Sequence, residues 1–371
     1  VELIFSVLVQ HIGEVRASIS DLSKDMTIYN CDESSNQINI LPDELLIYIF
    51  KYLPLDTILC CENVCKRWKK LARDQALWRR IVLIYSGKPG QSEVSEKNLE
   101  IISTHSEYIC CLKIQYVYSY PSIKSVIDQC KNLISLELVM CRIGEEFVND
   151  ILKWPNLKRL SLKNSILLSG DKDLIIPFDK LKQLNYLALS DFGLYSFNCE
   201  TLLQCRHLSH ILVEKVKNLE PHFIKQLITS QHKILETFHI YGGNSIDDSS
   251  LKQLSTCPHL RDLAIIRCEN LTDDGLVSLV SLKNIEHVQV WNNSNFSELS
   301  LLRTLGSSTF INLQSLSLSR IQNITPVIVD LISECYKNLK FLALYQCPRI
   351  INTDYEKQLK SKFRNIDVVL Y

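Results

Sequence analysis

Neither sign of charge is in excess: 41 basic and 41 acidic residues cancel over 371 positions. The chain therefore has no global attraction for nucleic acid or an anionic membrane surface. No apolar run approaches the roughly 20 residues that a membrane-spanning helix needs. Phosphate loops of the Gly-x-x-x-x-Gly-Lys kind, His-Glu-x-x-His helices and Gly-x-Ser-x-Gly elbows are all missing, so nothing announces phosphoryl-transfer, metalloprotease or serine-hydrolase chemistry. The fourteen cysteines never take Cys-x-x-Cys spacing, and adjacent pairs such as Cys60-Cys61 and Cys110-Cys111 fit reduced thiols better than a disulfide framework. The expectation is a protein without catalytic residues, metal or cofactor, in a reducing compartment, cytoplasmic or nuclear.

What is present begins with the stretch from Leu41 to Ile81. Pro42 with Asp43 and Glu44, and Pro54 with Leu55 and Asp56, suit helix first turns, where a missing N–H is no loss and carboxylates meet the positive end of the dipole. A third helix is expected to carry Val64, Trp68 and Leu71 on one face, with Lys66-Arg67 and Lys69-Lys70 on its solvated side. In the first helix Leu45, Leu46, Ile49, Phe50 and Leu53 form one apolar face, yet Ile47 and Tyr48 lie on the other. A unit of about 40 residues is near the lower limit for a self-sufficient core, so this surplus apolar surface reads as half of an interface.

This stretch resembles an F-box. The resemblance is carried by Leu41-Pro42-Asp43-Glu44-Leu45-Leu46, by Tyr52-Leu53-Pro54, by Val64-Cys65-Lys66-Arg67-Trp68 and by Leu77-Trp78. It implies docking on the Skp adaptor of a cullin-RING ubiquitin ligase, presentation of a protein substrate by the rest of the chain, and no catalytic role of its own. By the same resemblance, Leu41, Pro42, Leu45, Ile49, Leu53, Pro54, Val64, Trp68 and Trp78 build or face the adaptor interface. A non-catalytic scaffold, or a protein that sequesters the adaptor, is the alternative.

Before the F-box lies an extension over 1–39. It starts at Val1 without methionine, Met26 being the next candidate start, and turns polar from Met26 to Asn39, as a flexible lead would. Val1–Val9 is apolar but far shorter than a membrane span. Read as a truncated secretory signal, it would make the chain a secreted effector whose Asn-x-Ser/Thr sites, Asn270, Asn292, Asn295 and Asn323, are glycosylated. Such short motifs arise often by chance, so the intracellular reading is preferred. The F-box is placed at 40–85, and a linker with a first helix at 86–106, where Ser86-Gly87-Lys88-Pro89-Gly90 marks a turn.

From 107 to 371 one pattern recurs: an apolar residue followed at +3 and +5 by two more. It runs from Ile109-Leu112-Ile114 and Leu133-Leu136-Leu138 to Leu339-Leu342-Leu344 and Ile366-Val369-Tyr371, about eleven units at intervals of 24 to 28 residues. This is the signature of leucine-rich repeats. The expected fold is thus α/β: a short three-helix F-box, then a curved solenoid with a parallel sheet on its concave face and mostly helices on its convex face. Segments such as 147–152 and 273–279 fit the helices. Ser169-Gly170-Asp171 and Ile176-Pro177 predict an irregular loop. Cys130, Cys205 and Cys257 sit three before a triplet and Cys141, Cys268 and Cys347 eight after one, a phase that fits buried thiols better than metal ligands. The last triplet, with no polar unit after it, leaves an edge that the tail caps or further sequence covers.

Side chains alternate across a strand, so +2, +4 and +6 face outward where +3 and +5 face in. Large aromatic and imidazole side chains there make the candidate substrate surface: Tyr186, His210, His239, Tyr241, His287, Trp291, Phe341 and Tyr345, concentrated towards the C-terminus. Lys113, Arg159 and Lys163 form a second, basic candidate surface. Expected partners are the Skp adaptor, through it the cullin-RING ligase, and a protein substrate of unstated identity, with no nucleic acid and no membrane.

Overall fold

A computed structural model describes residues 41–79, 82–88, 91–94, 96–168, 175–191, 196–216, 219–307, 309–351, 353–363 and 366–370. The extension over 1–39, the Ser169-Gly170-Asp171 segment and Tyr371 lie outside the described residues. The chain divides into two compact units. The first takes in the described residues up to Tyr85, with Val94–Lys113 and Ser125–Leu133; the second takes in Ser86–Glu93, Ile114–Lys124 and everything from Ile134 onward.

The first unit is helical where the proline signals fall. Helix α1 spans Asp43–Phe50, α2 Leu55–Cys61 and α3 Lys66–Ala72. A further short helix, α4 (Gln75–Trp78), follows in the same stretch, capped by Asp74, which accepts from Ala76 N at 2.8 Å. Pro42 and Pro54 occupy the N-cap positions themselves, and Asp43, Glu44 and Asp56 sit in the first turns. The core is made by Leu46 and Phe50 of α1, Ile58 of α2, Trp68 and Leu71 of α3, and Leu77 and Trp78 of α4, all buried. Each such side chain contributes roughly 1.5–3 kcal/mol by leaving water. Phe50 and Trp68 meet edge to face at 5.2 Å.

Polar ties lock these helices together. Arg67 reaches from α3 to the Asp43 carboxylate at 2.7 Å and to the Leu41 carbonyl at 2.5 Å. Helix α5 (Glu96–His105) brings the His105 ring onto Trp78 with centroids 4.8 Å apart and its Nε2 to Glu62 Oε1 at 2.5 Å, while Arg73 takes the other Glu62 oxygen at 2.9 Å. The segment expected as a simple turn differs: Ser86-Gly87-Lys88 ends a strand, Val82–Lys88, and Gln91–Val94 forms another.

The second unit is built by the triplets. From Ser135–Val139 to Asp367–Val369 successive strands pair in chain order, each parallel to the last and in step, so that Leu136 aligns with Leu160, Leu160 with Leu187, and Leu263 with Val288. From the Leu133 to the Leu339 triplet all three positions are buried in every repeat; in the last strand Ile366 and Val369 are only half-buried. Helices return the chain where periodicity placed them, for instance Glu145–Asp150, Pro221–Gln231, Asp273–Ser278 and Pro326–Cys335. The unit after Leu162 is irregular. It adds a short strand, Ile166–Leu168, that pairs with Arg142–Gly144 in a separate small sheet, and a single 3-10 turn at Phe178–Lys180.

From the Ile109 to the Leu339 triplet each strand leaves the sheet through one turn, seven residues after the triplet start. Tyr116, Met140, Asn164, Asp191, Lys215, Arg267, Asn292, Arg320 and Gln346 all hold φ between +46° and +60° there, and Gly242 holds +121°. The reversal lets the N–H at +7 bond to the +6 carbonyl of the next repeat, as in Lys215 N to Tyr241 O and Arg320 N to Tyr345 O, both 2.7 Å. One residue further on, small polar side chains close the stack. The Cys347 thiol donates to the Leu318 carbonyl at 2.9 Å, Ser165 Oγ to Leu138 O, and Asn293 Nδ2 to Ile265 O. Cys141 likewise donates to Ile114 O of the preceding repeat, while the Cys268 thiol donates to Ile266 O of its own strand; all six phased cysteines are buried, and burial pushes the Cys268 thiol up to about 12.

Helix starts are bridged in the same way. Asp248 accepts from Thr272 N and Oγ1 at 2.9 and 2.6 Å, and Asp273 accepts from Ser297 N and Oγ at 2.8 and 2.5 Å. Gly275 leaves room for the first bridge, since a Cβ there would lie 2.3 Å from Asp248 Oδ1. Three of the Asn-x-Ser/Thr asparagines are spent on such links: the amides of Asn270, Asn295 and Asn323 donate to the carbonyls of Asn244, Glu269 and Phe296.

Candidate interaction surfaces

In the first unit the nine residues expected at an adaptor interface separate by depth. Pro42, Leu45 and Pro54 are exposed; Leu41, Ile49 and Val64 are half-buried. Leu53, Trp68 and Trp78 are buried, so they shape the surface from within and are not available to touch a partner. The sequence left this division open: a helix apolar on all sides carries no period that tells inside from outside, and α1 turns Leu46 and Phe50 inward while Leu45 is left 47% exposed. Tyr48, read above as part of the surplus apolar surface, and Tyr52 were not named among the nine. They stand exposed one turn apart, rings 5.4 Å and hydroxyls 2.9 Å from each other. Their i, i+4 spacing was the signal available.

In the second unit the outward strand positions form rows. The +2 row brings Arg159, Tyr186 and His210 together: the Arg159 guanidinium lies 3.7 Å from the Tyr186 ring centre, and that ring lies 5.9 Å from His210. Burial, with Arg159 nearby, holds the His210 imidazole below its usual range and so favours the neutral ring. His287 and Phe341 occupy the same row further along, on either side of Ser315. In the middle row His239 Nε2 comes within 2.9 Å of Asp262 Oδ1 without hydrogen-bond alignment.

The +6 row holds Tyr241, Trp291 and Tyr345, two strands apart from one another. They do not stack on each other. Cations from the +7 turns lie over them instead: Lys215 and Arg267 over Tyr241, at 5.2 and 6.0 Å, and Arg320 over both Trp291 and Tyr345, at 5.9 and 5.7 Å. Arg267 also donates to the Tyr241 hydroxyl at 3.1 Å. The substrate residues expected from sequence therefore fall into rows of different character, Tyr186, His210, His287 and Phe341 in one, Tyr241, Trp291 and Tyr345 in another, and His239 alone between them. Lys215, Arg267 and Arg320 were missed because the residue at +7 changes from one repeat to the next and offers no type to follow. Of the second basic surface, Lys163 is ion-paired with Glu137 at 3.0 Å and Arg159 is stacked as described.

Residues 38–84 match the F-box-like family model. The chain thus carries an F-box-like segment ahead of its leucine-rich repeats. It is 20% identical over 219 residues to F-box protein SKIP19 of Arabidopsis thaliana, covering 50% of this chain and 72% of the relative. Over a shorter stretch of 50 residues it is 44% identical to human F-box/LRR-repeat protein 12, covering 13% of this chain and 15% of that one. Among solved structures, a chain of the yeast Rad7 and Elc1 complex shares the fold of this chain, with a TM-score of 0.53 at 15% identity over 98% of this chain and 97% of its own.

Proposed function

We propose that this chain is the substrate-recognition subunit of an SCF-type cullin-RING ubiquitin ligase. The F-box docks on the Skp adaptor, and the outward face of the repeat sheet binds the protein to be ubiquitinated. The chain contributes no catalytic group; it holds substrate near a ligase whose chemistry is elsewhere. The reading is supported generally by the F-box match and the F-box/LRR relatives. The observation that carries it in this chain is the exposed apolar strip on α1 and the turn after it, with Leu45, Tyr48 and Tyr52 each more than two-fifths uncovered and Pro42 and Pro54 exposed at the N-caps of α1 and α2. So small a helical unit gains nothing in water by displaying three large apolar groups, which makes them the natural centre of an interface. The expected compartment is cytoplasmic or nuclear, where the adaptor would be met.

Co-expression of the chain with the Skp adaptor and affinity capture tests this. Capture is expected for the unmodified protein and loss of about tenfold or more for the Leu41→Ala, Pro42→Ala, Leu45→Ala triple variant, whose circular dichroism should be unchanged. Failure of the folded, unmodified chain to capture the adaptor would remove the ligase reading.

A further inference from the structure

Along the edge where the strands end, residues alternate in kind from one repeat to the next. Lys215 is followed by Tyr241, Arg267, Trp291, Arg320 and Tyr345, with four of the five neighbouring pairs in cation–ring contact. Stacking fixes each side chain in place and leaves the guanidinium edges outward. The three cations recur at every second strand, which at ~4.8 Å per strand step sets them roughly 10 Å apart. Lys215 shares its charge with Asp191 at 3.9 Å, and Glu269 lies near Arg267. Arg267 and Arg320 have no carboxylate within ion-pair distance among the described residues, and Glu214, next to Lys215 in the chain, is engaged by Ser190 Oγ at 2.9 Å. Arg320 is held from behind by Gln346, which accepts from its Nε at 2.6 Å and leaves the terminal nitrogens free to fork onto an oxyanion. Beside it the Trp291 indole N–H is covered and lacks an acceptor among the described residues.

We propose that this edge docks an extended acidic segment of the protein substrate, one in which carboxylates recur at every third residue. In the extended polyproline II conformation a chain advances about 3.1 Å per residue with three residues per turn, so every third side chain lies on one face and recurs at about 9 Å, close to the roughly 10 Å between cations. A segment lying across the strands in this way sets its carboxylates on the guanidiniums and its intervening residues over Tyr241, Trp291 and Tyr345. The proposal rests on the reading of the repeat sheet as the substrate face and narrows it to one chemistry.

The test uses the full chain and a fluorescein-labelled peptide of about twelve residues with Glu at every third position in a Gly/Ser/Ala background. Its controls are an isomer with the same glutamates bunched at one end, a Gln version and a phosphoserine version. Fluorescence anisotropy should report binding of the periodic Glu peptide at least about tenfold tighter than the Gln peptide, weakened as salt rises from about 50 to about 300 mM. The informative variant is Arg267→Asn with Arg320→Asn. Asparagine suits the positive φ of this turn, and Asn164 and Asn292 already occupy it in other repeats, so the variant should keep its fold while losing about tenfold or more in binding. Equal binding by wild type and variant, by Glu and Gln peptides, or by periodic and bunched isomers overturns the proposal, as does binding by the phosphoserine peptide alone. Adaptor capture from the same preparation separates the two readings: a chain that binds peptide but not adaptor sinks the ligase role and leaves the acidic-segment row standing.

Discussion

The two units treat large side chains at their surfaces in opposite ways. The F-box unit leaves Leu45, Tyr48 and Tyr52 bare, while its indoles, Trp68 and Trp78, are sealed inside. The repeat unit keeps its large outward aromatics half-covered and lays a cation over several of them. A bare apolar strip is suited to one constant partner that covers it, because affinity then comes from desolvation and is indifferent to chemical detail. A row of cation-capped rings remains comfortable in water and discriminates by charge and spacing.

The sharpest way to break this comparison is to exchange depth for exposure within the F-box unit. Trp78→Ala removes the ring stacked on His105 and orphans the Ala72 carbonyl that accepts from Nε1 at 2.9 Å. It is expected to cost about 3–5 kcal/mol, whereas Leu45→Ala should cost under ~0.5 kcal/mol while weakening adaptor capture. Urea unfolding followed by tryptophan fluorescence reads both; similar costs would mean that Leu45 is part of the core after all.

A smaller effect probes the polar side of the repeat unit. Asp150 is buried, which alone would raise its pKa, but hydrogen bonds from Lys124, Lys153 and Tyr120 outweigh burial and hold it at about 2, below the ordinary value of 3.8. A depressed pKa means stability that is present above pH ~4 and lost as pH falls towards 2. Asp150→Asn is therefore expected to lower stability by about 2 kcal/mol at pH 7 and to flatten the acid limb of the unfolding curve in that window. An unchanged acid limb would show that the three donors do not act as a set.

The mildest change runs the other way. Thr304 lines an apolar cavity with Leu276, Leu301 and Phe310, and its hydroxyl has no partner among the described residues. Thr304→Val should stabilise the repeat unit by about 1 kcal/mol, seen as a rise of a few degrees in Tm. A lower Tm would mean that the hydroxyl is satisfied in solution.

How much of this could be read in advance follows from what repeats and what does not. The apolar triplets recur in residue type, so strands, register and the inward positions were legible from Leu133 onward. The N-caps of α1 and α2 were legible because proline and acidic residues have a local physical reason to stand there. The inner face of α1 was not, since Leu45, Leu46, Ile47, Ile49 and Phe50 are alike in character and only packing chooses between them. The edge of cations escaped notice for the reverse reason: the turn recurs in backbone conformation while its residue changes from Tyr116 to Met140 to Lys215 to Arg320, leaving no type to count. The irregular repeat after Leu162 was visible from Ile176-Pro177, but the pairing of Ile166–Leu168 with Arg142–Gly144 depends on two loops meeting, which no local pattern encodes.

That turn makes the sheet edge a graduated ruler. Its marks are set by main-chain hydrogen bonds to the next repeat from +7 N–H groups such as those of Tyr116, Met140, Lys215 and Arg320, so their pitch does not depend on which side chain stands at the mark. Tyrosine, methionine, asparagine, aspartate, lysine, arginine, glutamine and glycine all occupy it in this one chain. Exchanging one for another rewrites what the edge reads without moving the scale, so a repeat protein of this kind can change its ligand at little cost to its fold.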